Sequence, residues 1–115
     1  YIDVDSMRVT LHEGGVERGS VGIWHVPVPG SPDALASGSY TTDIVRDTEV
    51  STVTMVRYPH YVRFGDRYAL HASPIDTEGV VLPDEYPGNS VLLSADDART
   101  IAEFSEPGMV VYVDA

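Results

Sequence analysis

Apolar and polar positions alternate from the first residues of the chain. Ile2 and Val4 mark one face, the phase changes near Asp5 and Ser6, and Met7, Val9 and Leu11 then alternate with Arg8, Thr10 and His12. A period of two residues is the signature of a half-buried strand, so the opening predicts a β-hairpin that turns at Gly14-Gly15. Residues 16–26 continue as a strand, bent or bulged near Gly19 and Gly22, where side chains are missing from the pleat. Residues 39–45 and 51–57 are rich in β-branched side chains and predict two further strands joined by the charged connection 46–49. Residues 61–71 alternate aromatic and basic positions around Gly65-Asp66, which suits a hairpin turn and delivers His71 to the end of a strand.

A different rhythm appears only once. Ser94 can cap a helix, with Asp97 three positions on as in a capping box, and Ala98, Ile101, Ala102 and Phe104 form the buried stripe. Pro107-Gly108 stops that helix before a last strand at 109–113. The segments 27–38 and 74–87 carry too much proline and glycine to sustain a ladder and are expected to be loops, the second long enough to act as a lid or binding loop. Six or more strands and one helix predict a mainly β sandwich with one packed α-helix, within a single domain spanning 1–115.

The 115 residues include 18 acidic and 7 basic side chains, a net charge of -11. Such a surface repels a phosphate backbone, so nucleic acid is not expected as a partner. No apolar run is long enough to insert into a membrane as a helix. Cysteine is absent, which removes disulfides, thiolate metal ligands and any thiol nucleophile. The chain begins at Tyr1 and ends just after an apolar run, as expected of a domain cut from a longer polypeptide.

Three local patterns, in order, resemble the L,D-transpeptidase catalytic domain, the bacterial module that cross-links peptidoglycan stem peptides through a cysteine acyl-enzyme. YIDVDSMRVTLHEGG is similar to the first hairpin of that family. ALASGSYTT followed by RYPHYVRFGDRYALHASP resembles its approach to the catalytic histidine, and PGNSVLLSADDARTIAEFSEPGMVVYV resembles its nucleophile motif. The resemblance implies an L,D-transpeptidase-like β-sandwich, with His71 as general base, the Ala72 carbonyl as its orienting acceptor, and Ser90 in the place of the cysteine. The 19 residues from His71 to Ser90 fit the spacing of the family. The chain departs from the motif at Gly88, Asn89 and Leu92, where the family has histidine, glycine and arginine or asparagine.

What the resemblance implies for chemistry follows from the nucleophile. Cysteine works because part of it ionises near neutral pH, whereas a serine hydroxyl needs a far better base. Whether the serine is native or a substitution, the domain as written is expected to be inert towards stem peptides and carbapenems. The alternative is a non-catalytic binding or structural module on the same fold, and a third reading is a serine acyl hydrolase, which needs an acidic orienter near His71. The Asn89 and Ser90 amides are the candidate oxyanion donors. Stem peptides or other cell-envelope components are the implied partners, in an extracytoplasmic location.

Each site residue also has an ordinary reading. A histidine at a strand end is often a hydrogen-bonded structural residue, and a serine near a turn often caps or solvates. Tyr61 and Phe64, like Tyr58 and Tyr68, either line a substrate groove or pack across strands. Arg67, with Arg57 and Arg63, either meets a substrate carboxylate or forms surface ion pairs. Gly88 is the remaining candidate for substrate contact. The acidic loop lacks a calcium-ligand pattern, and His12, His25 and His60 show no zinc spacing, so neither a metal nor another cofactor is expected.

Overall fold

The turn at Gly14-Gly15 is tight because both glycines take positive φ, 59° and 80°, the combination that matches the twist of a two-stranded ribbon. In the computed structural model, which describes residues 1–115, it joins β2 (Arg8–Glu13) to β3 (Val16–Gly22). A short β1 (Ile2–Asp3) pairs antiparallel with β2. The irregularity expected near Gly19 is present: the register passes from Leu11↔Gly19 to His12↔Glu17 and leaves Arg18, next to Gly19, without a cross-strand partner. β3 stops at Gly22; the Ile23 amide still donates to the Met7 carbonyl at 2.8 Å, and Trp24 and His25 then leave to pair with Leu92.

The segments 39–45 and 51–57 are not two strands around a charged connection. One strand, β4 (Gly38–Val50), runs straight through Arg46 and Glu49, and the chain turns at 51–56 before β5 (Arg57–Phe64). The charges are tolerated because both side chains reach water, and the long Arg46 side chain pairs with Glu49 at 2.7 Å. Ser51 organises the turn: its amide donates to the Val56 carbonyl at 2.9 Å and its carbonyl accepts from Met55 at 2.8 Å.

β6 (Tyr68–Ala72), β7 (Ser90–Leu93), α1 (Ala95–Phe104) and β8 (Val110–Asp114) complete the chain. The strands form one sheet in the order β3-β2-β1-β8-β4-β5-β6-β7. Residues 38–41 of β4 pair with β8 and residues 42–50 with β5, so this strand belongs to both halves and the sheet folds over along it. Beyond β3, the Trp24 amide donates to Leu92 at 2.8 Å and the Leu92 amide to His25 at 2.9 Å, which ties the two ends of the sheet together. The result is a mainly β fold with one packed helix, its two layers made by one curled sheet.

The helix lies where its pattern placed it. Ser94 Oγ accepts from the Asp97 amide at 3.1 Å, and Ala98 and Ile101 bury their side chains against β5 and β6. Ala102 and Phe104 are only partly covered.

At the β5–β6 hairpin, Gly65 has φ 64° and the Tyr40 ring lies against its Cα, so that an added Cβ would sit 2.6 Å from Tyr40 Cδ1. That ring packs edge-on to Phe64 and Tyr68, at 5.9 and 5.7 Å. Gly65→Ala is expected to cost about 2–3 kcal/mol, combining the left-handed backbone with overpacking. Gly14→Ala shares the positive φ but meets open space, and about 1 kcal/mol is expected. Urea unfolding of both variants checks this; equal losses would mean that the Tyr40 contact adds nothing.

Candidate active site

All five residues of β6 are buried, so this strand must satisfy its polar groups internally. β7 pairs with it in parallel, matching Ala69 to Ser90 and His71 to Leu92. Side chains alternate faces along a strand. Leu70, Ala72, Val91 and Leu93 join the core cluster with Ala98 and Ile101 of the helix. His71 and Ser90 share the opposite face, one step apart along the diagonal.

His71 is 1% exposed and Ser90 0%. His71 Nε2 lies 2.9 Å from Ser90 Oγ, and Nδ1 lies 2.6 Å from the Ala72 carbonyl oxygen. A carbonyl can only accept, so Nδ1 carries the proton and Nε2 offers its lone pair to the serine hydroxyl. This tautomer is the one a general base needs. Tyr61 stacks on the imidazole at 6.0 Å with 19° between planes, and Tyr58 leans on it at 5.0 Å. Burial lowers the His71 pKa, only partly opposed by the hydrogen bond to Ala72, and keeps the ring neutral at pH 7.

The pair opens onto a cleft of about 240 Å³ lined also by Glu49, Ser51, Tyr58, Tyr61 and Asn89. Of the two amides considered as oxyanion donors, that of Ser90 donates to the Pro87 carbonyl at 3.1 Å, whereas that of Asn89 meets no backbone acceptor. The Asn89 side chain holds the Arg67 carbonyl.

Tyr61 lines the cleft, but three other residues considered for substrate contact do not. Phe64 is 1% exposed and packs into the core with Tyr40 and Tyr68, because its position on β5 points to the helix side. The Arg67 guanidinium donates to the Pro32 carbonyl and lies 5.3 Å over the Tyr68 ring, which fastens the 27–38 loop instead of facing a ligand. Gly88 sits in the turn before Ser90 with the Asp33 carboxylate against it, so that a Cβ there would lie 2.8 Å from Oδ2. Arg63 pairs with Asp43 and Asp66 at 3.8 and 3.6 Å.

The sequence gives no sign that Glu49 and Ser51 belong to the site, since it reads them as a connection and a new strand; only the β4–β5 register, with Glu49 opposite Tyr58, brings them to the cleft. No three His, Asp or Glu side chains cluster as metal ligands, and no helix is long and apolar enough to cross a membrane. A larger apolar hollow, about 350 Å³ between Leu11, Phe104 and Tyr112, lies on the helix side of the sheet and does not reach the His71–Ser90 pair.

No known family model and no curated protein sequence matches the chain. Among solved structures it is similar to an L,D-transpeptidase from Stackebrandtia nassauensis, at 19% identity and a TM-score of 0.74 over 99% of this chain and 53% of that one. It is also similar to a fused Zn-dependent amidase/peptidase/peptidoglycan-binding domain-containing protein from Clostridium acetobutylicum, at 12% identity and a TM-score of 0.68, covering 98% of this chain and 49% of that one. The chain thus spans about half the length of these structures, and the likeness shows the fold.

Because the folded pKa of His71 lies below its ordinary value of 6.5, the unfolded chain takes up the proton first and stability falls as pH drops below that value. His71→Asn lacks this component. Its loss of stability between about pH 7.5 and 5.5, measured by urea unfolding, is expected to be smaller than that of the wild type. An equal loss would mean that the folded imidazole titrates freely.

Proposed function

We propose that this domain is an L,D-transpeptidase-like module that engages peptidoglycan stem peptides, or another cell-envelope component, in the cleft beside His71 and does not cross-link them. An extracytoplasmic setting goes with that reading. It draws support from the fold shared with a transpeptidase and with a peptidoglycan-binding-domain protein. The observation that carries it is the pair itself: an alcohol, not a thiol, stands 2.9 Å from a neutral histidine with the base tautomer. A serine hydroxyl stays protonated at neutral pH, and its only orienting partner behind His71 is a neutral carbonyl in place of a carboxylate. The oxyanion would also lack the Ser90 amide, and loss of one such donor costs about 10²–10³ in rate.

A second reading, a purely non-catalytic module, is favoured by the complete burial of Ser90 and the engagement of its amide with Pro87. Reactivity at position 90 separates the two. The wild-type protein is expected to gain no mass on incubation with a carbapenem and to form no cross-linked stem peptide; a stable adduct on Ser90 would instead establish a serine acyl-enzyme. Ser90→Cys is expected to react with iodoacetamide at about pH 6, where a free thiol of pKa about 8.5 is almost wholly protonated, and His71→Ala in that background removes the acceleration. An ordinary alkylation profile unaffected by His71→Ala leaves the non-catalytic module.

A further inference from the structure

We propose that the cleft selects a cation: an alkylammonium group held by the Glu49 carboxylate and the faces of Tyr58 and Tyr61. Only the identity of the molecule that carries this group rests on the peptidoglycan reading.

Glu49 is the one formally charged residue among those lining the cleft, since His71 is neutral. Its position is set by the sheet, where it stands directly opposite Tyr58 and so shares that residue's face. Its carboxylate is also held still. Oε2 accepts from Arg46 Nη1 at 2.7 Å, and Oε1 accepts from the Val50 amide at 3.1 Å. A carboxylate offers about four lone-pair sites, so each oxygen keeps one for a ligand. The Arg46 side chain is 53% exposed and lies outside the cleft lining, whereas that of Glu49 is 27% exposed. Ordering and partial desolvation both strengthen a charge-assisted contact.

The tyrosines complete the receptor. Their π faces attract a cation within about 6 Å, and partial desolvation adds to the effect. Burial raises the hydroxyl pKa of both; Glu85 adds to the rise at Tyr58, and at Tyr61 Glu49 adds to it while Arg63 and Arg46 partly oppose it, so both rings stay neutral. No arginine is among the residues lining the cleft, and Arg46, beside it, is engaged by Glu49. Arg63 is paired with Asp43 and Asp66, and Arg67 is fastened to Pro32. The net charge of -11 steers cations inward and anions away.

The test is an NMR titration of the wild-type protein at low ionic strength, following the Tyr58 and Tyr61 ring signals, with n-butylammonium and butyrate as probes of equal size and opposite charge. Butylammonium is expected to give saturable shifts and butyrate none. Glu49→Gln, which keeps the acceptor for the Val50 amide, is expected to weaken butylammonium binding about fivefold. Equal response to the two probes, or unchanged affinity in a folded Glu49→Gln variant, overturns the proposal; the probe comparison stands even should that variant fail to fold. A diaminopimelate-containing stem tetrapeptide, free or acetylated on its side-chain amine, separates the two readings. Butylammonium binding without binding of either peptide leaves the cation site and removes the peptidoglycan reading. Equal binding of both peptides together with equal response to butylammonium and butyrate removes the cation site and leaves the peptidoglycan reading in place.

Discussion

The parallel pairing of β6 with β7 is the constraint on which the site depends. Ala69 opposite Ser90 and His71 opposite Leu92 put histidine and serine on one face, and the period of two sends their neighbours into the core. A slip of one residue would reverse every one of those assignments. The register is therefore held by hydrophobic burial, since Leu70, Val91 and Leu93 can be covered only on the helix side. The same burial keeps His71 neutral, while the Ala72 carbonyl holds its proton on Nδ1.

A parallel pair cannot be closed by a hairpin, and here the crossover from β6 to β7 is the 74–87 loop rather than a helix. Its order comes from the backbone. Ile75 exchanges two hydrogen bonds of 2.9 Å with Arg57, and the Asp76 carboxylate accepts the Glu78 and Val80 amides at 2.8 and 2.9 Å. The acidic character of this loop thus includes at least one carboxylate used to shape it. Across the sheet, the long β4 strand performs the complementary task, carrying the fold from one half to the other and bringing Glu49 against Tyr58.

Charge is distributed unevenly with respect to use. Six of the seven arginines are engaged by other groups of the chain, among them Arg63 by two aspartates, Arg67 by a carbonyl and Arg46 by Glu49, which leaves an acidic molecule whose cleft carries a single carboxylate. Exposed pairs of this kind contribute little to stability, about 0–1 kcal/mol each. Their larger effect is on which ligand charge the cleft accepts.

Local rules were enough for the turn at Gly14-Gly15, the hairpin at Gly65-Asp66, the Ser94 cap and the helix behind it, because each rests on neighbours in the chain. The spacing of His71 and Ser90, read against a family resemblance, was also enough to single out the pair. What the sequence could not decide was anything that depends on strands far apart in the chain. Arg46 and Glu49 look like a connection until β5 pairs with them, Phe64 and Tyr61 are equally aromatic until the register sends one to the core and the other to the cleft, and the Ser90 amide is free on paper until the turn at Pro87 engages it. Turns and caps are settled by a few adjacent dihedrals and side chains, whereas the face a residue presents and the partner its polar atoms find are settled by non-local pairing, which only the folded sheet supplies.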